Sequence, residues 1–207
     1  MTVTPVGRRE RKKLATRQAL VSATLRLVAE RGFDRVTVED ISEAADVAPR
    51  TFFNYFASKE DAVVSRRRIE PAGVRALVLA RPAAEGPLAA VCAVLRELTL
   101  PAAEYREELL LRQQVIERHP ALVARQLRAY AEFERAMVDA MAERLGHSAG
   151  QVGEGGLRLR VLVAAATAAA RSAASHWMHQ AGRVPLDTLL DEAFACLTDL
   201  NRERTVD

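Results

Sequence analysis

Apolar residues recur at intervals of three and four along almost the whole chain, and this spacing restricts the fold more than any other feature. Positions three and four apart share one face of an α-helix, whereas a half-buried strand needs strict alternation. No segment alternates for long. We therefore predict an all-α protein of about nine helices. The 207 residues are 49% hydrophobic and 28% charged, which is typical of a soluble globular protein with a substantial core.

Capping signals indicate where the first helix ends and where the next three begin. A first helix is predicted over residues 10–31, because Gly32 suits the position just after a helix. Thr37 and Ser58 each precede an acid three residues later, which is the pattern of a capping box, so they start the second and fourth helices. Pro49 at a first helical position starts the third helix.

The fourth helix is expected to reach about Glu70, where Pro71 ends or kinks it. Gly146–Gly156, with the sequence GHSAGQVGEGG, is expected to be a flexible connector, and it lacks the GK[ST] ending of a phosphate-binding loop. The remaining helices are predicted at Pro87–Thr99, Ala102–Arg118, Pro120–Leu145, Gly155–Ala181 and Pro185–Arg202.

Several function classes are disfavoured. The longest apolar run, Val161–Ala170, is about half as long as a membrane span, and the N-terminus lacks the apolar region of a secretion signal. We therefore expect a cytoplasmic protein without a membrane partner. Cys92 and Cys196 lack CxxC spacing and are expected to be buried, reduced thiols.

No set of residues indicates catalysis, a cofactor or a metal. A nucleophile with a base at a recognisable spacing is missing from the sequence, so we expect no catalytic residues and no enzyme. His176 and His179 lie three apart on one helix face, which a metal could use. They lack further Cys, Asp or Glu residues at ligand spacing, so no metal site is predicted.

The N-terminal end is strongly basic. Six of the first 17 residues are Lys or Arg against one acid, Glu10, while the whole chain carries only +3. The rest of the chain therefore has a small negative net charge. Such asymmetry favours a polyanionic partner at this end. Residues 1–9 are predicted to form a flexible basic arm, with backbone contacts to DNA from Arg11, Lys12 and Lys13.

The stretch PRTFFNYFASKED, residues 49–61, concentrates aromatic rings in a chain that is 5% aromatic. Two short helices joined by a tight turn and flanked by a longer one predict a helix-turn-helix. Helical spacing places Phe52, Phe53 and Phe56 on one broad side, where we expect them to anchor the short third helix. The opposite side carries the polar residues that could contact DNA.

These polar residues have the chemistry for reading a major groove. Arg50 can bind guanine O6 and N7 together, Asn54 can pair with adenine, and Thr51 offers a hydroxyl or a methyl group. We therefore predict base contacts from Arg50, Thr51 and Asn54. Phosphate contacts are predicted for Thr37, Tyr55 and Lys59.

The segment VTVEDISEAADVAPRTFFNYFASKEDAV resembles the DNA-binding region of the TetR/AcrR family of bacterial transcription regulators. The resemblance covers roughly residues 10–60, and it carries the family's DNA-contacting positions onto the residues predicted above. It implies a three-helix DNA-binding domain at 10–57. A ligand-binding and dimerisation domain at 58–207 would follow, with residues 58–70 as its linker helix.

Three positions depart from the family pattern. The usual glycine of the turn is Asp46, which tolerates the left-handed conformation better than most residues. The usual Ser or Thr cap of the recognition helix is Ala48, at a cost of about 1 kcal/mol. The common tyrosine beside the anchor is Phe53, which cannot donate a hydrogen bond to phosphate.

The last two helices are expected to form a homodimer. LRLRVLVAAATAAARSAASHW is rich in small residues, and LDTLLDEAFACL has a wide apolar side, so two copies could form a four-helix interface. The resemblance also implies a dimer that reads an inverted repeat. The predicted interface residues are Val161, Ala165, Ala169, Leu189, Ala193, Phe194 and Leu197.

The middle helices would supply any cavity for a small hydrophobic effector. The segment ERHPALVARQLRAYAEFERAMVDAMAERLG resembles the ligand-binding half of a TetR subgroup that includes mycofactocin-system regulators with acyl-CoA-type ligands. It implies an acyl-CoA or a fatty acid, with a drug-like hydrophobic compound as the alternative. The predicted pocket residues are Tyr105, Leu109, Ile116, His119, Tyr130, Phe133, Met137, Leu162, His176 and Trp177.

The resulting hypothesis is a homodimeric repressor that leaves its operator when the effector binds, with the helix after Ser58 as the lever between the two functions. A ligand-independent DNA-binding protein or an activator remains the alternative.

Overall fold

The computed structural model describes residues 7–65, 71–146, 154–180 and 183–202. These ranges contain ten α-helices, two short 3-10 helices at Phe33–Arg35 and Leu100–Tyr105, and no strand, which confirms the all-α class. The α-helices are α1 Arg8–Arg31, α2 Val38–Ala44, α3 Pro49–Phe53, α4 Lys59–Val64, α5 Pro71–Leu79, α6 Pro87–Thr99, α7 Arg106–Glu117, α8 Pro120–Arg144, α9 Glu154–His179 and α10 Leu186–Arg202.

Two helices differ from the prediction. Helix α4 ends at Val64 rather than near Glu70, because Ser65 takes an extended conformation with a ψ of 102°. Pro71 begins a helix that the sequence did not predict, α5, in which Val74 and Val78 are buried one turn apart. Gly73 weakens the helical pattern of this short segment, and burial of the two valines compensates.

Some predicted features fall outside the described residues. These are residues 1–6 of the basic arm, residues 66–70 of the predicted linker helix, and residues 147–153 of the connector. Within the described residues, α1 already begins at Arg8, so the last residues of the predicted arm are helical. No helix in this part of the chain is long and apolar enough to cross a membrane.

The chain divides into two compact units. Unit 1 comprises Met1–Arg67 and Glu107–Arg128, so α1–α4 share it with α7 from its second residue onward and with the first third of α8. Helix α1 packs on α2 and α4, and α2 packs on α3. The members of its core with no exposed surface are Leu20, Leu25, Ile41, Phe52, Ala62, Val63 and Leu122.

Unit 2 comprises Arg68–Arg106 and Ala129–Asp207. Its central helix is α9, which packs on α10 and α6 through buried alanines. Arg144 ties the end of α8 to the α5–α6 connection by donating to the carbonyls of Arg81 and Pro82. The two units do not coincide with the predicted boundary after residue 57, because α4 and α7 both belong to unit 1.

Candidate nucleic-acid interface

Helix α2 begins with the predicted capping box. The Asp40 amide donates to Thr37 Oγ1 at 3.1 Å, and the Thr37 amide donates to Asp40 Oδ2 at 2.9 Å. Hydrogen bonds from Thr37 and the nearby Arg31 lower the pKa of Asp40 below its ordinary value. The box satisfies amides at the start of α2 and leaves the Thr37 side chain exposed.

The turn between α2 and α3 tolerates its unusual residues. Asp46 has a φ of +53°, so it takes the left-handed conformation that glycine would adopt there. Ala48 is the N-cap of α3 and provides no side-chain hydrogen bond, while Pro49 occupies the first turn. The turn therefore forms without the glycine or the hydroxyl cap.

Two of the three phenylalanines anchor α3, which we call the recognition helix. Phe52 is fully buried and Phe56 nearly so, with ring centres 5.5 Å apart. The prediction for Phe53 was wrong, because its side chain is 59% exposed. Residues four apart share a helix face, but Phe53 lies about 100° around the helix from Phe52. It touches the anchor only by its edge, at 5.6 Å between ring centres.

The predicted base-reading residues lie close to Phe53 in sequence. Arg50 and Asn54 are exposed, and Thr51 is partly buried. Helix α3 ends at Phe53, so Asn54 and Tyr55 belong to the turn that follows. Tyr55 is partly buried and packs against the core of unit 1. Phe53 is the surface residue that helical spacing alone failed to identify.

Lys59 is held by the protein itself. Its ammonium group donates to the carbonyls of Phe33 at 2.8 Å and Val36 at 3.0 Å. It also lies 4.4 Å from the centre of the Phe33 ring, where a cation–π contact is favourable. Two of its three N–H groups are thus used to connect α4 with the segment after α1. Arg11, Lys12 and Lys13 are exposed near the start of α1.

The α7–α8 hairpin contributes to the same unit. His119 packs on Phe33 with ring centres 5.3 Å apart, and Ile116 is buried in the same core. Arg125 Nε donates to Asp61 Oδ1 at 2.7 Å. Ile116 and His119 were predicted to line the effector pocket; here Ile116 is buried in the core of unit 1 and His119 packs on Phe33, and their pocket assignment stays a prediction. Leu109 also lies on α7, in unit 1.

The other predicted pocket residues belong to unit 2. Met137 and Trp177 are buried, and His176 is exposed. The partly buried members are Tyr105, Tyr130, Phe133 and Leu162. An exposed histidine at the start of the last turn of α9 is a poor wall residue for an enclosed cavity, so His176 is the weakest member of this set.

The predicted dimer residues differ in how much surface they offer. Leu189 and Phe194 are already buried within unit 2, which leaves them little surface for a partner chain, and their interface assignment stays a prediction. Val161 is exposed, and the partly buried members are Ala165, Ala169, Ala193 and Leu197. The exposed apolar stripe of α9 is formed by Leu157, Val161, Ala164 and Ala168, at helical spacing.

Histidines and cysteines show no arrangement for chemistry. His179 contacts the Ser175 carbonyl of its own helix, and the described residues contain no group of three or more His, Cys, Asp or Glu that could hold a metal. Burial raises the pKa of the Cys92 thiol to about 11. Cys196 is exposed, contrary to the expectation that both thiols are buried.

The sequence and the fold match known transcription regulators. Residues 20–63 match the family described as bacterial regulatory proteins, tetR family, and residues 85–201 match the MftR C-terminal domain. The HTH-type transcriptional regulator TcmR of Streptomyces glaucescens is 32% identical over 206 residues, which covers 91% of this chain and 89% of that protein.

Solved structures share the fold at lower identity. The Thermus thermophilus repressor FadR, in complex with lauroyl-CoA, has a TM-score of 0.54 at 21% identity, covering 88% of this chain and 93% of that one. The fatty acid degradation regulator FadR of Bacillus halodurans has a TM-score of 0.55 at 14% identity, covering 95% and 96%. Together with the helix-turn-helix described above, these matches show that the chain belongs to the TetR family of DNA-binding transcription regulators, which are not enzymes, and that it has an MftR-type C-terminal domain.

Proposed function

We propose that this regulator is a homodimeric, cytoplasmic repressor that reads an inverted-repeat operator and releases it when a hydrophobic small molecule binds. The proposal rests on one observation: the recognition helix and the turn after it have a buried side and an exposed side. Phe52 and Phe56 are buried, so the adjoining surface with Arg50, Phe53 and Asn54 is held in place. A preorganised surface loses little side-chain entropy when it binds.

Base readout is assigned to the exposed part of this surface. Arg50 would bind a guanine edge, Asn54 an adenine edge, and Thr51 a base or its methyl group. The exposed Phe53 ring adds an apolar surface that suits a thymine methyl. These residues differ in chemistry, so each should influence a different operator position.

Phosphate contacts would set the register on DNA. The phenol of Tyr55 can donate to a phosphate oxygen, whereas the Thr37 hydroxyl must first give up its hydrogen bond to Asp40 Oδ2, at 2.8 Å. Lys59 keeps one N–H for this purpose while two others hold the Phe33 and Val36 carbonyls. The exposed side chains of Arg11, Lys12 and Lys13 would contact the backbone and give salt-dependent affinity.

The exposed stripe of α9 is the proposed dimer surface. Leu157 and Val161 are 72% and 59% exposed, and Ala164 and Ala168 continue the stripe with small side chains. Exposed apolar side chains in a row favour association, and small residues let helices approach closely. Two copies would place two recognition helices on the two halves of an inverted repeat.

For the effector, an acyl-CoA or a fatty acid is our first choice. The MftR-type C-terminal domain and the similarity in fold to a repressor in complex with lauroyl-CoA support this choice. A drug-like hydrophobic compound is the alternative, since NalD, the secondary repressor of a multidrug efflux pump, has a similar fold at a TM-score of 0.54. The effector must bind the DNA-incompetent state more tightly, because otherwise it shifts nothing.

An operator titration tests the proposal. Purified protein is titrated onto the operator with and without lauroyl-CoA, and a coupling of about 1–3 kcal/mol would weaken DNA binding roughly 5–150-fold. Ligand-independent operator affinity, despite measured ligand binding, would contradict induction. Val161→Glu tests the dimer by size-exclusion chromatography with light scattering, and the same change at an exposed valine of α8, Val123→Glu, is its matched control.

A further inference from the structure

Arg106 is the first residue of α7, and its guanidinium lies at the carbonyl end of α9. Nη2 donates to the backbone carbonyl of Met178 at 2.6 Å. The guanidinium carbon lies 6.0 Å from the centre of the Trp177 ring, which is itself buried. All three residues belong to unit 2.

Within the described ranges, the charge of Arg106 has no acidic partner. Several other arginines form ion pairs with Asp or Glu: Arg31, Arg75, Arg81, Arg96, Arg112 and Arg125. Among the residues that the structure describes, no carboxylate lies within ion-pair distance of Arg106. Its Nε is also buried without a hydrogen-bond partner there. Buried N–H groups are almost always paired, so this one indicates a missing acceptor.

The available side of the guanidinium determines which acceptor fits. Nε and Nη2 form the planar edge that can bind both oxygens of a carboxylate or a phosphate, and Nη2 already donates one of its two hydrogens to the Met178 carbonyl. The indole of Trp177 provides an apolar surface beside that edge. A small molecule with an anionic head and an apolar chain would satisfy both groups at once.

We propose that Arg106 binds the anionic group of the effector, a carboxylate or phosphate, while the apolar part adjoining it packs on Trp177. This inference deepens the proposed effector binding and rests on it. Nε is covered in the present conformation, so the Arg106 side chain must turn before an anion reaches it. The bound state then pairs an N–H that the free state leaves unpaired, and such a difference between states is what allows a ligand to shift an equilibrium.

The chain offers its own reporter for a test, because Trp177 is its only tryptophan. Full-length protein is titrated with laurate, with dodecanol as the uncharged molecule of equal chain length, and with lauroyl-CoA. Tryptophan fluorescence and calorimetry give the affinities. We expect laurate or lauroyl-CoA to bind at least about 10-fold more tightly than dodecanol.

Substitutions separate anion binding from helix capping. Arg106→Gln should weaken binding of the anionic ligand by about 10–100-fold and leave dodecanol unchanged, whereas Arg106→Lys should lie between it and the wild type. Arg135→Gln is the matched control, because it removes the same charge from an exposed arginine of unit 2. It should bind all three molecules like the wild type.

The outcomes are distinct. If Arg106→Gln weakens binding of lauroyl-CoA alone, the anion that Arg106 binds is a phosphate. If it weakens binding of both laurate and lauroyl-CoA, Arg106 accepts any acidic head. If Arg106→Gln lowers the melting temperature but leaves laurate and lauroyl-CoA affinity unchanged, Arg106 only caps α9 and the inference is overturned. Equal affinity of the wild type for dodecanol and both anions, or binding of none of the three, also overturns it. Operator binding by the same wild-type sample tests the regulator function separately.

Discussion

The two units bury different kinds of side chain. Unit 1 is organised around aromatic rings, with Phe33, Phe52 and Phe56 packed among branched aliphatic residues. In unit 2 the buried face of α9 is lined largely by alanines, and methionines such as Met137 and Met141 fill the core. Aromatic rings have few rotamers and defined pair geometries, whereas methionine adapts to irregular spaces.

This difference matches two different tasks. Reading DNA requires side chains that stand in fixed positions before the duplex arrives, and the ring cluster beneath α3 provides that. Accepting an effector requires helices that can repack at low cost, which small and flexible side chains permit. Lys59 in unit 1 is held by two carbonyls, whereas Arg106 Nε in unit 2 has no hydrogen-bond partner among the described residues.

The largest effect is expected from a substitution that removes a buried ring from the aromatic cluster beneath α3. Phe52→Ala should destabilise the protein by about 3–5 kcal/mol, because it removes a fully buried ring beneath the recognition helix. Urea unfolding measures the loss, and operator binding should fail with it. The neighbouring Phe53→Ala is the control, since an exposed ring can be removed at about 0.5 kcal/mol or less. Equal destabilisation by both substitutions would refute the assignment of Phe52 to the core and Phe53 to the surface.

Removing the main base contact should affect recognition without affecting folding. Arg50→Ala is expected to cost about 1–3 kcal/mol of operator affinity and to relax base preference at one half-site position. Binding to a set of single-base operator variants measures this. A uniform loss across all sequences would instead place Arg50 among the phosphate contacts.

Lys59 tests whether the same residue both supports the fold and contacts DNA. Lys59→Met keeps the aliphatic stem but removes both hydrogen bonds to carbonyls, so we expect a loss of about 1–2 kcal/mol in stability. A phosphate contact predicts, in addition, a salt slope of operator binding lower by about one unit.

Lys12→Met is the matched control for this change, because Lys12 is exposed. It should lower the salt slope alone. If Lys59→Met left the salt slope unchanged, Lys59 would act only by connecting α4 to the residues after α1.

The sequence predicts features that depend on neighbouring residues better than features that depend on contacts between distant residues. The capping signals at Thr37 and Ser58 are local: the complete box forms at Thr37, whereas Ser58 only accepts from the Asp61 amide, and the Asp61 carboxylate accepts from Arg125 instead. The packing of α7 on α1 is not local: Gln18 and Ser22 of α1 both donate to Glu108 of α7, nearly 90 residues away. Helical spacing likewise could not show that the short α3 exposes Phe53, since a five-residue helix has no complete buried face.

The smallest effect is expected from a substitution that gives α3 the N-cap hydroxyl it lacks. Ala48 has N-cap geometry, with a φ of −68° and a ψ of 145°, yet no side-chain oxygen. Ala48→Ser should therefore stabilise unit 1 by about 1 kcal/mol, by accepting a hydrogen bond from an amide in the first turn of α3. Ala57→Ser makes the same chemical change at an exposed residue that is not an N-cap, and it should leave the melting temperature unchanged. If the two variants melted alike, the missing hydroxyl would be irrelevant, and the rings beneath α3 would alone determine its stability.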